Sequence, residues 1–521
     1  MRNVTIWSVS TDILPMISTS DNRRMILRWN LLAGLTSSAV SAVVGLLAVP
    51  FYLKYLGVEA YGLVGFYAAA QGFLAILDVG LTPTMNREAA RAQTTGHVDE
   101  ARDLLRSLCT VTWSSSAVIA ACFLVSSDYL ATHWLESNGL STDSIRVAVV
   151  MFGIVIAVRW PMGVYVGALL GSQRVVWLSS INIAMTIISN GGAVLALHFY
   201  NPSIKTFFGW MLLANITWIF LIRFAAWSAL GGLNTPARPS LTALRSVWKF
   251  SLGMAITGMI GAVLTYSDRL FVSRMLPLEA LGRYTIATQL AAVTALFVVP
   301  TINVIFPALT RLFLAEDEAG LENAYRNGTK MLAAVLFPMA TFLAAFAAPI
   351  LMLWTGNAGI ARDAAPILQL LLLGNALNGV MYFPYSLQMA VGASHLTAIM
   401  AAFLLAILVP ALYLLTARYG AIGAAAAWAL INILYLIAGT PLTHRFYLKG
   451  KGLAWLSSDV LVPLLISLLA VVTAAWLLAR TNLPPLTQIV LGGLSIPFAI
   501  ATVVATSPGL TAHVRNILQR R

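Results

Sequence analysis

The chain has 521 residues, of which 59% are hydrophobic and only 10% charged, against roughly 25% charged in an ordinary soluble domain. No water-soluble fold of this length hides so much apolar surface, which leaves lipid as the main solvent. The net charge of +13 then reads as basic loops on the cytoplasmic face of a membrane protein rather than as a nucleic-acid surface.

In lipid every backbone N–H and C=O needs an internal partner, so spanning segments are helices or closed barrels. Runs such as Met331–Trp354 and Ile399–Thr416 are continuously apolar, without barrel alternation. They are long enough to cross as helices, for which about 20 residues suffice. The chain therefore reads as all-α and integral to the membrane.

From the N-terminus, residues 1–25, within a tail of 1–29, contain no clean apolar core, because Asp12, Pro15, Asp21, Arg23 and Arg24 interrupt it. They read as a cytoplasmic tail rather than a signal peptide, so the first span directs insertion. About fourteen spans follow, at 30–53, 61–81, 108–127, 146–170, 175–198 and 206–229, then 247–271, 284–306, 330–354, 364–391, 395–417 and 420–443, then 456–478 and 486–506. The longest loops, near 82–107 and 307–329, leave no room for an extramembrane catalytic domain. Cys109 and Cys122 fall on one helix, ~20 Å apart, too far to bridge. The six histidines are scattered, so no metal site, cofactor or catalytic residue set is expected.

Lys and Arg set the orientation. With the N-terminus inside, 21 of the 32 fall in cytoplasmic segments and 9 outside, while Arg159 and Arg223 lie within spans. This bias predicts cytoplasmic termini and an even span count.

A shift of 220 residues aligns two parts of the chain. Phe51-Tyr52-Leu53-Lys54 meets Phe271-Val272-Ser273-Arg274, and Glu59-Ala60-Tyr61-Gly62 meets Glu279-Ala280-Leu281-Gly282. Ahead of these, Ala33, Ser37, Ser41 and Gly45 fall on Gly253, Thr257, Gly261 and Thr265. Both sets are stripes of small residues of the kind that let helices approach closely in lipid. At a shift of 224, Pro83 and Arg87 meet Pro307 and Arg311. Six spans separate the copies, so the repeat is parallel, about an axis along the membrane normal. The expected architecture is an N-lobe (30–229), an inter-lobe cytoplasmic loop (230–246) and a C-lobe (247–443) around a central cavity. Two extra helices (444–506) and a cytoplasmic tail (507–521) complete it.

The stretch from Tyr52 to Leu63 (YLKYLGVEAYGL) resembles the opening signature of bacterial polysaccharide transporters. These are the O-antigen type flippases of the multidrug/oligosaccharidyl-lipid/polysaccharide superfamily. Leu77–Glu88 (LDVGLTPTMNRE), Arg159-Trp160-Pro161 with Gly167–Arg174, and Ser267–Phe271 are also similar to that family. The resemblance covers at least residues 30–310. It implies flipping of undecaprenyl-pyrophosphate-linked oligosaccharides across the bacterial inner membrane by alternating access, for surface polysaccharide synthesis. H+ or Na+ would be the coupling ion, and polymerase or ligase machinery a partner. A lipid II flippase and a cation-coupled drug antiporter of the same superfamily are the near alternatives. A membrane glycosyltransferase or polymerase is the enzyme alternative; it would need clustered carboxylates or a large outer loop.

Arg159 lies near mid-span, where an Arg costs ~2.5–3.5 kcal/mol on insertion scales. It is a cavity-facing cation for the pyrophosphate, half of a structural pair, or a side chain that snorkels to the interface, and Pro161 is positioned to kink the helix beside it. Arg223 and Arg269 are the other candidate substrate cations. Asp78, Asp268, Arg87 and Arg311 are candidates for coupling and gating, with an Asp78–Arg87 pair as the structural alternative. Asn182, Asn190, Asn215, Asn375 and Asn378 read as interhelical glue.

Overall fold

A computed structural model describes residues 20–74, 80–232 and 237–507, with 509 and 511. The elements are helices throughout. The first half contains α1 (Ser20–Leu74), α2 (Leu81–Thr95), α3 (Val98–Tyr129), α4 (Thr142–Arg159), α5 (Met162–Gly171), α6 (Val175–Phe199) and α7 (Ile204–Ala229). The second half begins with α8 (Leu241–Met275), α9 (Leu278–Ala291), α10 (Ala295–Leu314), α11 (Glu318–Ala345), α12 (Ala347–Thr355), α13 (Ala358–Ala390) and α14 (Ser394–Phe446). The chain ends with α15 (Gly452–Ala454), α16 (Val462–Ala479), α17 (Pro485–Gly493) and α18 (Ser495–Ala505).

Eleven of the helical stretches among the described residues are long and apolar enough to cross a membrane. Two of them are really pairs. α1 folds back at Gly57 (φ 80°) and α14 at Gly420 (φ 61°), positive-φ positions that glycine adopts without strain. With those pairs separated, and α8 supplying one more, the fourteen expected spans are accounted for.

Two features differ from the hydropathy reading. The supposed long loops at 82–107 and 307–329 are mostly helix: α2, α10 and the first turns of α3 and α11 fill them. Their polar residues lie on helices that run past the apolar layer, and an apolar window registers only the part in lipid. Several spans are also broken. Pro161 removes an N–H at the junction of α4 and α5, and Phe346 separates α11 from α12.

Side chains start the helices where the chain turns. Ser141, Ser203, Asp317 and Asn357 each accept a hydrogen bond from a backbone N–H three residues on, satisfying a donor that the first turn cannot. Element starts recur across the two halves: Val98 and Glu318 are 220 residues apart, Thr142 and Ala358 are 216 apart, and Val175 and Ser394 are 219 apart.

The expected Asn glue is visible between helices at Asn375 and Asn378, whereas among the described residues Asn215 donates only to the Met211 carbonyl of its own helix. Asn378 donates to Asn432 (2.8 Å), and Asn375 accepts from the Trp428 indole (2.9 Å) and donates to the Ala291 carbonyl (3.1 Å).

The extra C-terminal helices are pinned by charge. Asp459 is fully buried and accepts from Arg326 Nε (2.7 Å) and Lys330 Nζ (3.2 Å) of α11. Removing one partner of a buried pair leaves the other side uncompensated. Asp459→Ala should therefore lower stability by about 3 kcal/mol, read as a fall in the thermal midpoint in detergent, whereas Asp143→Ala, in a pair with Arg146 that is exposed on both sides, should change it little.

Candidate functional site

The two halves meet at one end of the bundle, the turn end, which carries the Gly57 turn and the Leu276-Pro277 turn. The contact is reciprocal. A Cβ placed on Gly62 would lie 2.2 Å from the Leu278 carbonyl oxygen, and one on Gly282 would lie 2.1 Å from the Val58 carbonyl oxygen. Both relations carry the same offset of 220 residues. Residue i touching j while the copy of j touches the copy of i is what a two-fold contact requires. Only glycine permits backbones this close.

A second pair repeats the relation. Trp134 and Trp354, also 220 apart, each send an indole N–H to the other half: Trp134 to Ser273 Oγ of α8 (3.1 Å), Trp354 to the Leu46 carbonyl of α1 (2.9 Å). The Leu278 N–H donates to the Glu136 carbonyl (2.8 Å) beside them. Glu59 ties the 137–139 loop in place through Ser137 Oγ and Asn138 N, each at 2.7 Å. Its counterpart Glu279 pairs with Arg283, which also holds Asp363 (3.1 Å). The turn end is thus closed by matched contacts between the halves.

Arg159 is the last residue of α4, at the Pro161 break. Its guanidinium stacks over the Trp218 ring at 5.1 Å and faces the buried Tyr67 hydroxyl of α1. That hydroxyl has no partner of hydrogen-bonding geometry. Among the described residues no carboxylate lies within 4 Å of Arg159. A structural ion pair with a carboxylate is therefore not observed for Arg159 among the described residues.

Arg269 lies over the Tyr266 ring (5.5 Å), and Tyr266 packs on α1 at Gly72. Tyr67 and Gly72 are five residues apart, about 140° around a helix, so Arg159 and Arg269 approach the same arm of α1 from different sides. The adjacent Asp268 is directed elsewhere: it is buried, accepts from the Tyr284 hydroxyl (2.6 Å), and accepts from the Arg269 backbone N–H (2.7 Å). Arg223 is not with Arg159; it shares a cleft with Arg106 on the flank of the first half.

Arg87 is exposed on α2 beside Glu88 (3.7 Å), and Arg311 is exposed in the last turn of α10. Asp78 lies outside the described residues. Sequence reading missed Tyr67, Trp218 and the Trp134/Trp354 pair. Applying the 220-residue shift to every Trp would have found the last of these.

Comparison with known proteins agrees with this geometry. Residues 54–358 match the polysaccharide biosynthesis protein family. A Shigella flexneri protein described as "Putative O-antigen transporter" is 22% identical over 415 residues, which covers 78% of this chain and 94% of the relative. The lipid II flippase MurJ, in an inward closed conformation, superposes with a TM-score of 0.68 at 16% identity, covering 91% of this chain and 99% of MurJ. An inward-facing multidrug resistance MATE transporter of the MOP superfamily gives 0.63 at 14% identity, covering 79% and 96%. The chain is a multi-pass membrane protein that belongs to the polysaccharide biosynthesis protein family and has the fold of the MOP-superfamily transporters.

Proposed function

We propose that this protein flips an undecaprenyl-pyrophosphate-linked oligosaccharide from the cytoplasmic to the periplasmic leaflet of the bacterial inner membrane, for surface polysaccharide synthesis. The observation that carries the reading is the reciprocal closure of two similar halves at one end of the bundle. Matched halves that part and rejoin at alternate ends give alternating access. Membership of the family and the name borne by the Shigella relative support the proposed substrate class. Arg159, backed by Arg269, is the proposed cation for the pyrophosphate. The Asp268–Tyr284 pair is the proposed place for a coupling proton, and Arg87 and Arg311 the proposed gating cations at the termini end. A carrier of this kind needs no cofactor and makes or breaks no covalent bond.

The direct test is reconstitution in vesicles with a defined undecaprenyl-pyrophosphate trisaccharide, following exposure of the sugar to an external lectin. Transfer dependent on the protein supports the reading. Transfer of a cationic drug but no glycolipid would make the protein an antiporter instead.

Orientation is tested separately. In a chain freed of Cys109 and Cys122, single cysteines at Thr95 and Ala319 should react with an impermeant thiol reagent only from the cytoplasm, and one at Asn138 only from the periplasm. All three positions are exposed, and the expectation rests on the distribution of Lys and Arg. Periplasmic labelling of Thr95 would invert the topology.

A further inference from the structure

α3 and α7 both pack on α4 and α5 but share no substantial contact with each other. The gap between them is a cleft of ≈ 510 Å³, with Arg106, Cys109 and Trp113 on the α3 wall, Arg223 and Trp227 on the α7 wall, and Tyr165 of α5 at the floor.

The charges in this cleft are unmatched. Elsewhere Arg102, Arg146, Arg283 and Arg326 each hold a carboxylate. Among the described residues neither Arg106 nor Arg223 has one within 4 Å. Two cations facing one partly desolvated cleft repel each other unless an anion sits between them.

Position says which anion. Arg106 is eight residues from the start of α3 and Arg223 six from the end of α7, so each lies ~10 Å inside the termini end of its helix. That is the depth at which Trp and Arg meet lipid headgroups. Farther toward the turn end, Phe220 (60% exposed) and Val118 (62%) offer apolar surface to acyl chains. Among the described residues the cleft is lined by α3, α5 and α7. A cargo that crosses between the halves needs a site with walls from both. A resident lipid does not.

We propose that this cleft binds the headgroup of an anionic membrane phospholipid, with its phosphate held by Arg106 and Arg223, apart from the path of the transported glycolipid. The inference does not rest on the identity of that glycolipid, and it takes Arg223 out of the substrate path.

The test is native mass spectrometry of the full chain released from nanodiscs of mixed phosphatidylglycerol and phosphatidylethanolamine. The wild type should retain phosphatidylglycerol at least about tenfold over phosphatidylethanolamine. Arg106→Gln and Arg223→Gln should each lower that preference about fivefold, the worth of one headgroup cation, and together abolish it. The double variant must keep the wild-type thermal midpoint. Alternatively, a benzophenone side chain at Ser114, on the same wall, probes the cleft with both arginines in place and should capture phosphatidylglycerol preferentially. A double variant that keeps the preference, or equal capture of both lipids from position 114, would overturn the site. Displacement of the lipid by millimolar inorganic phosphate would show that a soluble anion is the ligand, and preferential capture of undecaprenyl-pyrophosphate glycolipid would return the cleft to the cargo. Either would refute the proposal.

Discussion

Arg159→Ala is expected to reach the membrane in wild-type amounts and to flip substrate roughly 100-fold more slowly. The first half of that expectation follows from the surroundings. Arg159 holds no carboxylate among the described residues, so its removal orphans no buried anion. The substitution removes the stack on Trp218, worth about 1 kcal/mol for a partly exposed pair. Against that stands the ~2.5–3.5 kcal/mol that an Arg deep in a span costs on insertion.

The second half follows from the ligand. A guanidinium binds two oxygens of a pyrophosphate at once. Two hydrogen bonds to a charged group, at ~1.5–3 kcal/mol each, correspond to at least about a hundredfold in rate if they form during transfer. Arg159→Lys restores the charge without the fork and should recover part of the activity. The vesicle assay decides: normal flipping by Arg159→Ala makes the residue structural. Disappearance of the protein from the membrane would show that the Tyr67 and Trp218 contacts are needed for folding.

The next largest effect is expected at the turn end. Gly282→Val should leave insertion intact and reduce flipping at least about tenfold. A Cβ there would lie 2.1 Å from the Val58 carbonyl oxygen, and one on Gly62 would lie 2.2 Å from that of Leu278. Non-bonded heavy atoms rest at ~3.5 Å, so α9 and the second arm of α1 must separate by roughly an ångström or more. The cost falls on the closed turn end and not on either lobe alone.

Because the contact is reciprocal, Gly62→Val should give the same defect, and the double variant should be little worse than either single one. Gly191→Val is the control, since nothing lies within 4 Å of its Cβ position, and it should flip at the wild-type rate. A cysteine at Thr285, whose side chain meets α1 at Gly65, should react with an impermeant thiol reagent faster in the Gly282→Val background. Unchanged flipping and unchanged reactivity would mean that this close approach is no part of the transport cycle.

Much of this molecule is written in one dimension. Lipid demands continuous apolar helices, so hydropathy alone located the fourteen spans, and the bends at Pro161 and at the Gly57 turn follow from backbone chemistry at single residues. The repeat was also legible, because the matched turns kept Glu59-Ala60 and Glu279-Ala280 at a constant offset.

Which face each residue presents was decided only by tertiary packing. The sequence grouped Arg223 with Arg159 because both are cations inside spans; the fold sets Arg159 against Trp218 and Tyr67, and Arg223 across a cleft from Arg106, a residue that had read as part of a loop. Asp268 and Arg269 are neighbours in the chain, yet one is bonded to Tyr284 and the other lies over Tyr266. The physical reason is that a helix turns about 100° per residue, so adjacent side chains diverge, and in a bundle solvated by lipid almost any face reads as apolar. Hydropathy registers depth but carries no information about azimuth, and azimuth decides whether a buried cation meets a partner helix, the central space or the bilayer.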